Sequence, residues 1–292
     1  MRIQKSFERK ETGVLTLVPT PIGNLQDMTF RSVEVLRDVE LILSEDTRNT
    51  QKLLNHFEIT TKQLSFHEHN VQKRIPEILR LLKSGVNIAQ VSDAGMPSIS
   101  DPGVELVDAC VRENLQVVSL PGATAGVTAL ISSGLSPQPF TFYGFLPRKK
   151  KEQIEFFEEN QTSSPTQIFY ESPYRIKATL ENMLSVYGDR NCVVARELTK
   201  IYEEYRRGTI SELIESFVQP PKGEIVLIVE GGDGSVGTAE DYSAMTLKEH
   251  VSVLISAGLT QKEAIKEVAK LRGIKKQEVY HAVHISEEDG LD

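Results

Sequence analysis

Four short β-like runs alternate with helical patterns over the first 120 residues, and this alternation limits the fold more than any other feature. The runs are residues 14–18 (VLTLV), 40–44 (ELILS), 87–91 (NIAQV) and 116–120 (QVVSL). Helical periodicity covers residues 29–37, 48–57, 71–83 and 104–113. Helix-length crossovers favour parallel strands joined with right-handed geometry, so the pattern predicts an α/β sheet covered on both faces. In such sheets ligands gather at the carboxyl ends of the strands. Those ends carry dense turn chemistry: PTPIGN (residues 19–24), SEDTR (44–48), SDAGMPSISDPG (92–103) and LPGATAG (120–126).

Beyond residue 140 the pattern changes character. Strands are predicted at residues 141–145, 166–172, 191–197, around 205–209, and 224–231. The spacing from Arg196 to Arg207 is too short for a full crossover, so some neighbours here must run antiparallel. The expected organisation is an N-terminal tail (1–13), an α/β domain (14–122), a mixed α/β domain (123–232), a Gly-rich linker (233–241) and a small helical domain (242–292). Helical patterns at residues 246–257, 260–272 and 275–283 fill the last, with Thr260 and Glu263 forming a capping box. A length of 292 residues suits two domains and a small third.

Hydrophobic content of 39% and charged content of 25% describe an ordinary globular chain. No apolar run is long enough to span a membrane, and the N-terminus has no apolar signal core, which together predict a cytoplasmic protein. The two cysteines, Cys110 and Cys192, lie in apolar segments and are expected to be reduced core thiols. No Cys or His spacing suggests a metal site. The net charge of −8 confines any nucleic-acid contact to local patches. Two patches qualify. One is Arg148, Lys149, Lys150 and Lys151. The other includes Lys262, Lys266 and Lys270, which share one helix face. Either could equally be a solvated face.

The strand-end loops carry the chemistry. PTPIGN lacks the spacing of a dinucleotide fingerprint, and no Walker motif occurs anywhere. In SEDTR, Glu45, Asp46 and Arg48 suit a helix N-terminus with Asp46 or Thr47 as cap. They equally suit a carboxylate pair and a guanidinium beside a substrate. His67 lies in the polar loop FHEHN. Within SDAGMPSISDPG, the second half reads as the start of a helix from about Pro102, with Asp101 or a neighbour as cap. The first half, residues 93–97, has no such structural reason and points to a binding loop, walled by Ser98, Ile99 and Ser100. Small residues at Gly122, Ala123, Thr124 and Ala125 clear room for a bulky ligand.

Taken in order, LVPTPIGNLQDMTFRSVEVL, SEDTR, SFHEHN, VSDAGMPSISDPG, LPGATAGVTAL, FYGFLPRK, ESPYRI, RELTKIYEE and GEIVLIVEG resemble the tetrapyrrole-methylase superfamily, and within it the branch that methylates small-subunit ribosomal RNA. The compact GDP-type motif of the small-molecule enzymes is replaced by DAGMP, which favours the RNA branch. The resemblance implies two α/β domains of the tetrapyrrole-methylase type with a cofactor cleft between them, plus a small C-terminal helical unit. It implies S-adenosylmethionine as cofactor, a homodimer, and 2′-O-methylation of a cytidine (position 1402 by convention) in 16S rRNA of the 30S subunit. The residues that it places at the cofactor are Pro21, Asp93, Gly95, Met96, Ile99, Ser100, Ala123, Thr124, Ala125, Glu171, Ser172, Leu198 and Glu224. Candidates for catalysis are Glu45, Asp46, Arg48, His67 and Lys200, with the general base unassigned among them. RNA contacts are expected from Arg148, Lys149, Lys150, Arg206, Lys262 and Lys266. Two rivals are a methyltransferase for a small tetrapyrrole, active without RNA, and a non-catalytic RNA-binding protein on the same fold.

Overall fold

A computed structural model describes residues 3–6, 8, 11–232, 245–256 and 259–284. The expected linker at 233–241 lies outside the described residues. The chain divides into two compact units, Met1–Ser235 and Val236–Asp292.

The first unit contains two sheets. Strands β1 (Val14–Leu17), β2 (Leu41–Ser44), β3 (Gln63–Ser65), β4 (Ile88–Gln90) and β5 (Gln116–Ser119) form one, in the order β3-β2-β4-β1-β5. Every pair is parallel, with Leu15 beside Ile88 and Leu43 beside Gln90. Successive side chains point to opposite faces. Leu15, Leu43 and Ile88 therefore enter one apolar cluster, and Ile42, Ala89 and Val18 enter another. Helices α1 (Phe30–Asp38), α2 (Thr47–His56), α3 (Val71–Lys83) and α4 (Val104–Arg112) bury Leu36, Leu54, Ile78 and Leu106 completely. Each such side chain contributes roughly 1.5–3 kcal/mol relative to exposure. Edge strand β3 is the one strand of this sheet that the sequence did not announce, because QLS is three residues long and has no apolar run.

The second sheet holds β6 (Phe140–Phe145), β7 (Thr166–Glu171), β8 (Asn191–Arg196), β9 (Glu204–Thr209) and β10 (Ile225–Val229), in the order β6-β7-β10-β8-β9. β6 and β7 run parallel, and the other three pairings are antiparallel. The short link from β8 to β9 thus produces the antiparallel neighbours expected from its length. Alternation again divides the apolar residues, with Phe169, Val194 and Leu227 on one face and Ile168, Val193 and Val226 on the other. The second of these clusters also takes in Ile22 from the turn after β1 and Leu198 from the turn after β8. That shared packing joins the two sheets around one cleft. Helices α5 (Ala125–Ile131), α6 (Lys150–Asn160), α7 (Ile176–Tyr187) and α8 (Ile210–Ser216) complete the unit.

One expectation fails here. Helix α4 starts at Val104, not Pro102, and Gly103 precedes it with φ of 145° and no side-chain cap. A Cβ at Gly103 would strike the side chains of Gln90 and Ser98. Asp101 is therefore not the cap, and its carboxyl is available elsewhere.

The second unit comprises α9 (Leu247–Ser256), α10 (Gln261–Leu271) and α11 (Lys276–His284) around Val251, Ile265, Val268 and Val279. Thr260 and Glu263 form the capping box as expected. Lys262, Lys266 and Lys270 are exposed on the face of α10 away from its buried Ala264, Ile265, Val268 and Ala269. Both cysteines are free and buried, and burial pushes the Cys110 thiol up to about 12. No helix among the described residues is long and apolar enough to cross a membrane.

Candidate functional site

A cavity of ≈ 400 Å³ opens at the carboxyl ends of β1 and β4 and is closed on its far side by loops of the second sheet. From the first half it is lined by Ile22, Asp93, Ala94, Gly95, Met96, Ile99, Ser100 and Asp101. Thr124 and Ala125 follow at the start of α5, and Phe145, Tyr170, Glu171, Ser172, Pro173, Leu198 and residues 223–226 form the opposite wall. Its volume and mainly apolar lining, with a few polar groups, are those of a small-molecule site.

Backbone geometry builds this cavity. Thr20 and Gly95 exchange two hydrogen bonds, each N–H donating to the other's carbonyl at 3.0 Å, which ties the loops after β1 and β4 together. Gly95 has φ of +78°, and a Cβ there would meet Ile22 Cγ2 at 3.2 Å and Ala123 O at 3.3 Å. Gly23 is equally confined, since a Cβ would sit 2.6 Å from Lys200 Cγ and 2.7 Å from Leu198 O. Among the described residues, five non-glycine residues have positive φ. Glu58 and Asn114 directly follow the C-caps of α2 and α4, where left-handed residues commonly end helices. The other three, Ser98, Glu197 and Thr199, fall on the loops around the cavity, where strain is characteristic of working sites.

The first-half wall carries carboxylates with no cation among them. Asp93 accepts from the backbone N–H of Asp46 (3.3 Å) and from Asn49 Nδ2 (3.1 Å). Asp101 lines the cavity, is half-buried, and accepts from Glu45, while the Ser92 hydroxyl donates to the Gly95 carbonyl at 3.1 Å. Burial and the Asp93 charge raise its pKa. Glu45 is pushed up from 4.5 to about 7 by desolvation, then by the charges of Asp101 and Asp93 and its hydrogen bond to Asp101. Glu45 and Asp101 thus form a hydrogen-bonded carboxyl pair in which burial favours the protonated form of each.

The neighbouring Asp46 behaves oppositely. It caps α2 by accepting from the Arg48 N–H at 2.8 Å and pairs with the guanidinium at 2.9 Å, which lowers it to about 2. Across the cavity, Lys200 bridges Glu197 (2.9 Å) and Glu224 (3.0 Å). Partial burial alone would lower the ammonium, but the two carboxylates outweigh it and hold Lys200 above its ordinary value. It is a fixed cation and cannot serve as a base at neutral pH. Glu171 lies in the wall with its carboxylate turned into the protein, accepting from the Ser172 N–H (2.6 Å), Thr179 Oγ1 (2.7 Å) and Arg175 (2.6 Å). It shapes the Ser172–Pro173 turn.

The remaining expected residues scatter. Pro21 faces a second, smaller cavity while its neighbour Ile22 faces the main one. Ala123 contributes its carbonyl beside Gly95 but does not line the cavity. His67 follows β3 and lines neither cavity. Arg206 is not a free cation: it pairs with Glu204 at 2.6 Å, donates to Ser216, and stacks over Phe217. Lys149 precedes α6 and pairs with Glu152, while Arg148 and Lys150 are exposed beside it. Sequence reasoning placed Glu224 in the wall and missed Asp101, Ile22, Phe145, Tyr170, Pro173, Gly223, Ile225 and Val226. For Asp101 the available signal was the second aspartate of SDAGMPSISDPG, absorbed by the misplaced helix start.

A model of the family described as tetrapyrrole (corrin/porphyrin) methylases matches residues 14–214. Ribosomal RNA small subunit methyltransferase I of Streptococcus pyogenes serotype M1 is 56% identical over 288 residues, 97% of this chain and 99% of that protein. The protein of the same name from Bacillus subtilis (strain 168) is 50% identical over 291 residues, 98% of this chain and 100% of the relative. Among solved structures, diphthine synthase superposes with a TM-score of 0.57 at 14% identity, covering 75% of this chain and 90% of that one. At that identity the likeness speaks for the fold alone. The strand-end cavity, the family match and the full-length relatives agree: the chain belongs to the ribosomal RNA small subunit methyltransferase I family of the tetrapyrrole methylases.

Proposed function

We propose that this chain transfers a methyl group from S-adenosylmethionine to the ribose 2′-oxygen of one cytidine, conventionally position 1402, in 16S rRNA of the small ribosomal subunit. The observation that carries the chemistry is Asp101 on the wall of an otherwise mainly apolar cavity, with Glu45 hydrogen-bonded to it. The RNA substrate rests on the relatives' printed names, over nearly the whole of both chains.

The cavity suits the cofactor. Its volume, the close approach at Gly95 and the small residues Thr124 and Ala125 leave a lined slot rather than an open groove. When bound, S-adenosylmethionine supplies an electrophilic methyl on a sulfonium, whose positive charge is lost as the methyl leaves. Met96, Ile99, Leu198, Ile225 and Val226 would give that centre apolar walls, while Asp93 and Glu224 are available for its polar groups.

The protein's own task is to orient the ribose hydroxyl and take its proton. Asp101 presents its carboxylate to the cavity, and Glu45 holds it by a hydrogen bond. Burial and neighbouring carboxylates raise both members of the pair toward the proton affinity that general-base catalysis requires at working pH. Arg48, 87% exposed at its side chain, and the exposed Arg148 and Lys150 provide charge for phosphates. The family resemblance further supports a cytoplasmic homodimer.

Mapping ribose methylation in 16S rRNA from cells lacking the gene tests the reading. The mark at that cytidine is expected to vanish, to return with the wild-type gene, and to stay absent with Asp101→Asn. A persistent mark in the deletion strain overturns it. The fold also serves enzymes of small tetrapyrroles, so purified protein should leave uroporphyrinogen unmethylated.

A further inference from the structure

Beside the main cavity lies a second one, of ≈ 240 Å³, that the chemistry above does not use. The two share Asp93, and the turn after β1 divides them: Ile22 faces the larger, Pro21 and Gly23 the smaller. The floor of the second cavity is apolar, from Pro21, Leu25 and Leu53, and Leu25 is 41% exposed. Its polar edge comes from α2, through Asn49, Thr50 and Lys52.

Thr50 is the anomaly. It is 4% exposed, and its hydroxyl has no hydrogen-bond partner. A buried hydroxyl without a partner is costly, and most native structures avoid one. A valine of the same shape would fill the position without that cost. The hydroxyl is accounted for if something entering the cavity bonds to it. Its neighbours limit what that is. Asn49 Oδ1 sits 3.4 Å from Lys52 Nζ, while Asn49 Nδ2 is committed to Asp93 at 3.1 Å. Lys52 and Arg48 are exposed one turn apart on α2, and so lie on one helix face. An apolar floor, a hydroxyl-and-amide edge and the Lys52 cation, with Arg48 one turn away on the same helix face, match an unstacked nucleotide, with ring face, polar base edge and phosphate.

Resting on the proposed RNA methylation, we infer that this second cavity, built on Asn49, Thr50 and Lys52, receives a splayed-out nucleobase of the single-stranded RNA that carries the target ribose. The methyl donor and the RNA base then occupy adjoining compartments on either side of the Pro21–Gly23 turn, with Asp93 on the wall that they share.

The test is binding of unmethylated small ribosomal subunits, purified from a strain lacking the enzyme, to wild-type protein and to Thr50→Val, with no methyl donor present. Thr50→Val is expected to weaken subunit binding about fivefold, the worth of one hydrogen bond. Its Kd for S-adenosylmethionine by calorimetry and its Tm should match wild type or, for Tm, exceed it. Lys52→Gln should weaken subunit binding and reduce the salt slope by about one. Wild-type subunit affinity in Thr50→Val overturns the inference. So does weakened S-adenosylmethionine binding with unchanged subunit binding, which assigns the cavity to the cofactor. Because binding is read without methyl transfer, its outcome is separate from the parent reading, which falls if wild-type protein binds subunits but never methylates them.

Discussion

The two walls of the main cavity use the same kind of side chain to opposite ends. On the first-sheet side, Glu45, Asp93 and Asp101 face one another with no cation among them, and Glu45 is raised to about 7. On the second-sheet side both lining carboxylates are matched, Glu171 by Arg175 and Glu224 by Lys200, and so are Glu197 and Glu204, which stand beside that wall without lining the cavity. Lys200 holds Glu197 and Glu224, and Arg196 and Arg206 hold Glu204, so Glu197 and Glu204 fall below their ordinary values. Crowding like charges in a partly dry site stores proton affinity, whereas pairing them with cations removes it. One wall can accept a proton near neutral pH, and the other holds a fixed shape. Asp46 makes the same point within one loop: next to Glu45 in sequence, it drops to about 2 because Arg48 pairs with it.

The largest break in this contrast comes from Asp101→Asn. It removes the carboxylate that lines the cavity while keeping its size, and should lower kcat about 10²- to 10³-fold, the usual worth of a positioned base. Single-turnover methylation of unmethylated small subunits measures this. A turnover within a factor of two of wild type would show that the pair is not the base.

Glu45→Gln should act less on rate and more on pH dependence. In the wild type the pair must lose the Glu45 proton to work, so the rate should rise with pH through about 7 and level above it. Glu45→Gln has no proton to lose near pH 7, so that inflection should disappear and leave only the titration of Asp101, which burial and the Asp93 charge keep raised, at a plateau roughly tenfold lower. Stability gives an independent readout. The folded-state value of Glu45 lies above its unfolded value of 4.5, so the folded protein holds the proton more tightly. Its contribution is fully present below 4.5 and is lost as pH rises through about 7. Tm measured across that window should fall less in Glu45→Gln than in wild type. Identical pH profiles of rate and Tm would separate Glu45 from the pair.

What the sequence disclosed follows from what periodicity encodes. The parallel sheet was legible because ELILS and NIAQV are apolar runs bounded by turn residues, and because α1 to α4 have clear helical spacing. The cavity-lining loop was legible because residues 93–97 had no local structural use. Strand β3 and helix α6 were not, since QLS and KKEQIEFFEEN pack through tertiary partners more than through pattern. Asp101 was hidden by a plausible local rule, proline at the first helical position, which lost to the fit of Gly103 against Gln90 and Ser98. Arg206 was misjudged for a related reason: charge is visible in sequence, but its neutralisation by Glu204, two residues away on the same face of β9, needs the strand geometry.

The smallest effect sharpens the comparison from the other wall. Glu204→Gln leaves Arg196 and Arg206 without the carboxylate that both contact at 2.6 Å. Half-exposed pairs of this kind contribute modestly, so the loss should be about 1 kcal/mol at neutral pH, or about 2–4 °C in Tm. Its pH dependence has the opposite sign to that of Glu45. The folded-state value of Glu204 lies below its unfolded value, so its stabilisation is present above the ordinary carboxylate range and lost as pH falls through the depressed folded value. The Tm difference between variant and wild type should therefore shrink toward acid pH. The midpoint of the methylation rate near pH 7 should not move, because no proton on this wall takes part in the reaction. A shifted midpoint in Glu204→Gln would mean that the two walls are electrostatically one site, and that the carboxylate–cation network helps to set the proton affinity of Glu45 and Asp101.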